Sequence, residues 1–229
     1  MSVQHIRVWD LPTRVFHWAL VVLVVALIVS GTIGGTLIDW HGRFGLVAVG
    51  LLSFRIVWGL LGSTYARFAT FFPTPARLRA YLRGEWKEPG HNPLGALSVL
   101  ALLTLLALQI ATGLAGNDDI AFRGPLFELA GKALSDRLTG VHKLSANFLF
   151  VLVALHIAAI LFYTHVKKDN LVKPMITGRK EHPHGRTASG GGPAALIASL
   201  VFAAAAVYGA SGAWLPPPPP PTPAATPGW

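Results

Sequence analysis

An all-α integral membrane fold is predicted for this chain: a bundle of four transmembrane helices followed by a fifth. Three observations predict it. Of 229 residues, 52% are hydrophobic and only 13% charged, too apolar for the surface of a soluble domain. Five runs reach or approach the roughly 20 apolar residues that cross a bilayer. None of them alternates every second residue, as a strand of a membrane barrel would.

The spans follow in order. "VFHWALVVLVVALIVSGTIGG" (15–35) is the first; it has the length of a full span and lacks the small-residue cleavage pattern of a signal peptide. "FGLVAVGLLSFRIVWGLLG" (44–62) is the second, and "LGALSVLALLTLLALQIATGLAG" (94–116) the third. "GVHKLSANFLFVLVALHIAAILFY" (140–163) is the fourth. The fifth, "AALIASLVFAAAAVYGASGAW" (194–214), is Ala-rich and the least hydrophobic. Between the second and third, "TPARLRAYLRGEW" spaces Leu78, Tyr81 and Leu82 as a short amphipathic surface helix. The outer loop 117–140 has room for another short helix. The chain thus divides into a four-helix unit (1–180), a polar Gly-rich linker (181–193), a fifth helix (194–215) and a Pro-rich tail (216–229). That tail favours an extended polyproline II spacer.

The net charge of +9 is distributed by topology. With the N-terminus cytoplasmic, the inner segments 1–14, 63–93 and 164–193 hold 13 Lys and Arg, against 4 in the outer segments. This is the positive-inside bias, so the basicity orients the chain and suits a lipid surface; nucleic acid is not an expected partner. The expected location is the bacterial cytoplasmic (inner) membrane, with the tail periplasmic. There is no cysteine, which excludes thiolate clusters and covalent c-type haem.

Histidines carry the functional signal. A histidine inside a span is a functional hypothesis by default, against the plainer reading of a neutral imidazole bonded to a neighbouring helix. His142 and His156 are fourteen residues apart in the fourth span. At ~100° and ~1.5 Å per residue they share a helix face and stand about 21 Å apart. Each then needs its own partner. His41, at the outer entrance of the second helix, matches His142; His17, near the inner end of the first, matches His156. Bis-imidazole ligation of a b-type haem takes one His from each of two facing helices, so two such pairs make two haems.

Arg55 follows His41 by fourteen residues and lies at the inner level, where it can bind haem propionates or snorkel to headgroups. Lys143 has the same choice at the outer level. Gly31, Gly34, Gly35, Gly45, Gly50 and Gly113 either make room for flat macrocycles or let helices approach closely. His91 reads as part of the N-terminal turn of the third helix, and His5, His165, His182 and His184 read as solvated.

"VWDLPTRVFHW", "WHGRFGLVAVGLLSFRIVWGLLGSTYARF", "GHNPLGALSVLALL", "VHKLSANFLFVLVALHIAAILFY" and "KKDNLVKPMITGRK" together resemble the bacterial cytochrome b561 family, which includes relatives of the cytochrome b subunit of nickel–iron hydrogenases. The resemblance covers roughly residues 7–180. It implies a four-helix core holding two non-covalent b haems, with ligands at His17, His41, His142 and His156. It also implies respiratory electron transfer between a quinone pool or cytoplasmic-side donor and a periplasmic redox protein, such as a c-type cytochrome. Such a protein is an electron carrier, or a quinol-linked component of an oxidoreductase, rather than a stand-alone enzyme. Two alternatives stand beside this reading. One is a haem-bearing anchor subunit of a hydrogenase or dehydrogenase; the other is a haem-free transporter or proton channel lined by intramembrane His and Arg.

Overall fold

The computed structural model describes residues 4–183 and 185–216, and in it all five spans are helices. Helix α1 (Leu11–Ile33) starts four residues before the expected span, because Asp10 caps it by accepting the Thr13 N–H at 2.7 Å and Pro12 sits in the first turn. It ends where Gly34 and Gly35 adopt φ of 65° and 56°, a left-handed pair that turns the chain back through a single 3₁₀ turn. Helix α2 (Ile38–Leu61) therefore begins well before residue 44, and His41 lies inside its first turn rather than at an entrance loop. The short helices α3 (Phe68–Phe71) and α4 (Pro75–Leu82) follow, α4 capped by Thr74 in the predicted amphipathic segment.

Helix α5 (Pro93–Leu114) is capped by Asn92, whose side chain accepts the Gly95 N–H at 2.8 Å. Helix α6 (Phe127–His165) is much longer than the apolar run inside it. The short helix expected in the outer loop is its lead-in, set off by a break at Gly131 (φ 69°, ψ 165°). Helix α7 (Val172–Thr177) leads to strand β2 (Arg179–His182), which pairs antiparallel with β1 (Gln4–Arg7) in the register Gln4 to His182. Helix α8 (Pro193–Ala210) is the fifth span.

Helix α2 is the centre of the bundle, packed on α1, α5 and most extensively on α8. Gly50 makes the last contact possible: a Cβ there would meet Val207 at 3.1 Å. Phe16, Phe54, Trp58, Ala66 and Ala203 form a core joining α1, α2 and α8. Helix α6 packs on α5 but makes no extended contact with α1 or α2. A gap runs between them. The outward faces are apolar, with Val22, Ile33 and Val151 exposed, which fits a lipid solvent.

One end of the bundle gathers the three Lys/Arg-rich segments. The β1–β2 pair joins the N-terminus to the chain after α6, Arg14 donates to Ile176 O at 2.5 Å, and Trp18 Nε1 donates to Met175 O at 3.2 Å. The Gly-rich stretch 181–193 is tied to the same end: Ser63 bridges Gly190, and the Tyr65 hydroxyl donates to Arg186 O at 2.7 Å. The Pro-rich tail beyond Pro216 lies outside the described residues, as does His184.

Candidate haem-binding sites

At the end opposite the basic segments, His41 of α2 and His142 of α6 face each other across the gap. Their ring centres are 6.0 Å apart and their planes cross at 86°. Both line a cavity of about 370 Å³, whose walls include Gly45, Ala48, Leu106 and Leu149.

Each imidazole is oriented by a neighbouring helix in the same way. His41 Nδ1 lies 3.0 Å from Leu27 O and 3.3 Å from Ser30 Oγ on α1. His142 Nδ1 lies 3.0 Å from Gln109 O and 3.2 Å from Thr112 Oγ1 on α5. A carbonyl can only accept, so Nδ1 carries the proton in both rings and Nε2 keeps its lone pair. The glycine after each hydroxyl residue seats the ring. A Cβ on Gly31 would lie 2.9 Å from His41 Cε1, and one on Gly113 would lie 3.0 Å from His142 Cε1. "LIVSG" (27–31) and "QIATG" (109–113) are thus one local device used twice: carbonyl, hydroxyl, glycine. Gln109 adds a brace, donating to His142 O at 3.0 Å and to Ser145 Oγ at 2.7 Å.

This geometry fits an iron porphyrin. Imidazole nitrogens sit about 2 Å from first-row metal ions, so two rings sharing one ion have centres about 6 Å apart. Outer-shell hydrogen bonds that fix the tautomer and ring angle are the usual support of a metal-bound His. Among the described residues no three His, Cys, Asp or Glu are gathered around one point. A protein-only metal centre would need that; a porphyrin iron takes only its axial ligands from the chain.

The inner pair is arranged differently. His17 of α1 is within electrostatic reach of His156 of α6. The His17 ring stands edge-on to Trp18, centres 5.1 Å apart, and its Nδ1 is buried without a hydrogen-bond partner. Arg55, 3% exposed, lies over the Phe68 ring at 4.7 Å, and its Nη1 is likewise unpartnered. His91 joins this group: Arg55, His156 and His17 all act on it electrostatically. The inner cluster is therefore rich in buried nitrogen donors, the donor set that a porphyrin with two carboxylates calls for.

The sequence reading pairs the histidines but misses what orients them. Ser30, Thr112 and Gln109 escape it, although the repeated Ser-Gly and Thr-Gly pairs on the neighbouring spans carry the signal. Gly31 and Gly113 seat imidazoles, Gly45 borders the cavity, and Gly50 admits α8. His91, read as a helix-terminal residue, precedes the Asn92 cap and points inward, its Nδ1 buried.

Fold and site define a class: a multi-pass, all-helical membrane protein that holds histidines face to face across a cleft. The family model for prokaryotic cytochrome b561 matches residues 8–178, and the chain belongs to that family. Membership makes it a membrane electron-transfer protein of the haem b type. Relatives described as "Probable Ni/Fe-hydrogenase B-type cytochrome subunit" include one from Azotobacter vinelandii, 26% identical over 214 residues, covering 76% of this chain and 87% of the relative. One from Cupriavidus necator is 24% identical over 222 residues, covering 77% and 87%. The Escherichia coli K12 relative, "Probable Ni/Fe-hydrogenase 1 B-type cytochrome subunit", is 22% identical over 222 residues, covering 80% and 93%. No solved structure matches the chain significantly.

Proposed function

We propose that this protein is a dihaem cytochrome b of the inner membrane. His41 and His142 hold one haem at the outer level, and His17 and His156 hold a second at the inner level, with Arg55 toward its propionates. Each haem supplies a reversible one-electron iron couple. The chain sets the positions and the chemical surroundings. Residues 1–180 carry both sites, and 194–215 buttress α2 from outside. The basic end faces the cytoplasm, as the positive-inside bias requires. Electrons pass between a membrane quinone or cytoplasmic-side donor and a periplasmic partner, such as a c-type cytochrome.

The observation that carries this reading is the His41–His142 pair, 6.0 Å apart with both Nδ1 atoms committed to backbone carbonyls. Two filled axial positions favour electron transfer over oxygen binding. The hydrogenase names of the relatives favour a second, narrower form: a haem-bearing anchor whose periplasmic partner is a hydrogenase subunit. Pyridine haemochrome analysis of the purified chain tests the main reading. Two haem b per chain are expected; a colourless protein that conducts cations in liposomes would replace it with the channel alternative. Co-purification of a stable partner subunit selects the anchor form.

A further inference from the structure

His91 sits on the connection between α4 and α5, one residue before the Asn92 cap. Its ring is clamped between Trp9 and Phe71, each with its ring centre 4.6 Å away. That clamp fixes the imidazole, and it seals Nδ1 from solvent without giving it a partner. Burial first, and then the charge of Arg55, hold the imidazole well below its usual value, at about 3. An imidazole held there offers an N–H donor.

Arg55 presents the complementary puzzle. A buried guanidinium is normally paired, yet Arg55 makes no ion pair among the described residues. The carboxylate that reaches it electrostatically is Asp10. That group is already committed: Oδ1 accepts Thr13 N–H, and Oδ2 accepts Trp58 Nε1 at 3.1 Å together with the Ser63 hydroxyl. Glu88 lines a pocket together with His91 but is exposed to solvent. Arg55 and His91 are thus buried within electrostatic reach of each other, and His91 within that of His17 and His156, while no carboxylate among the described residues forms an ion pair with Arg55.

We infer that Arg55 and His91 form a two-donor seat for one carboxylate, a propionate of the haem held between His17 and His156. The inference rests on the dihaem reading and adds to it a residue from outside the four-span pattern. The outer cavity shows no such Arg–His pair; its walls are mostly apolar.

The test uses the full chain prepared without haem in a His41→Ala background, which keeps only the inner site. Iron protoporphyrin IX and its dimethyl ester are titrated in and followed by absorbance. Adding His91→Leu should weaken protoporphyrin binding by roughly tenfold or more, the worth of a hydrogen bond to a charged group. His91→Gln, which retains an N–H, should recover most of that loss. The ester should bind the background protein and its His91→Leu variant alike, because it offers no carboxylate. Equal protoporphyrin affinity with and without the His91→Leu substitution would overturn the inference, as would a deficit that persists with the ester. If the His41→Ala protein binds no pigment while its helix content is normal, the dihaem reading falls, and this inference with it.

Discussion

The two ends of the gap beside α6 solve the same problem by different means. At the outer end each imidazole is held by the helix next to it, through a carbonyl, a hydroxyl and a glycine, and the rings already stand at the spacing of a shared ion. At the inner end His17 has an unpartnered Nδ1, and Arg55 and His91 add further buried nitrogens without a partner. The contrast separates two tasks. On the dihaem proposal, one end would specify the ligand and the other the edge of the cofactor. Nδ1 donation makes the outer histidines more basic, while an inner site rich in donor nitrogens would stabilise negative charge at the rim of the proposed porphyrin.

The comparison breaks most sharply through the ligands themselves. His142→Ala should remove the outer haem and leave the inner one, halving the haemochrome value; His156→Ala should do the converse. Loss of both haems from either variant would mean that the two sites are not independent. Next in size are the glycines. Gly113→Val and Gly31→Val push side-chain atoms into rings that even a Cβ would touch at 2.9–3.0 Å. Overpacking of this kind costs about 1–3 kcal/mol. Outer haem retention on dilution should fall accordingly, with the inner haem unchanged as the internal control.

A subtler change sharpens the distinction. Thr112→Val removes one of the two oxygens near His142 Nδ1 and leaves Gln109 O in place. The ligand becomes less basic, so ferric iron is stabilised less. The outer midpoint potential should rise by an amount worth about 0.5–1.5 kcal/mol, read by redox titration, while the inner potential holds still. A shift confined to the inner haem would invert the assignment.

The smallest effect concerns the rim of the outer cavity, where Asp118 and Phe122 line the wall. Asp118 Oδ1 accepts the backbone N–H groups of Ile120, Ala121 and Phe122 at 2.8–2.9 Å. The Ile120 bond, then those of Phe122 and Ala121, hold this carboxyl below its usual value. A carboxyl depressed on folding stabilises above its unfolded pKa, and that contribution is lost as pH falls through the folded value. Amide exchange at residues 120–122, relative to intrinsic rates, should therefore accelerate only below about pH 4. Unchanged protection down to about pH 2, below the ordinary carboxylate range, would show that the loop does not depend on Asp118.

Much of this architecture was legible in the chain. Apolar length marked every span, and the fourteen-residue interval put His142 and His156 on one face. Helix limits were less legible. The polar run "IDWHGR" reads as loop by hydropathy, yet the Gly34–Gly35 turn is so tight that α2 must begin at Ile38. Likewise the stretch before the fourth span is too polar to count as span, yet it is helical on both sides of the break at Gly131. The support residues were hidden for another reason. Ser30 and Thr112 are ordinary in a membrane helix, and only a contact across helices reveals what they hold. His91 reads from sequence only as part of a helix-terminal turn; tertiary packing of Trp9 and Phe71 buries it.

The most direct test of the central claim is pyridine haemochrome quantitation on the purified chain, combined with low-temperature electron paramagnetic resonance of its oxidised form. Two haem b per chain, both low-spin with bis-imidazole signals, and only one of them lost in His142→Ala, is the predicted result. A single haem per chain, or two that both survive the loss of His142, would contradict it.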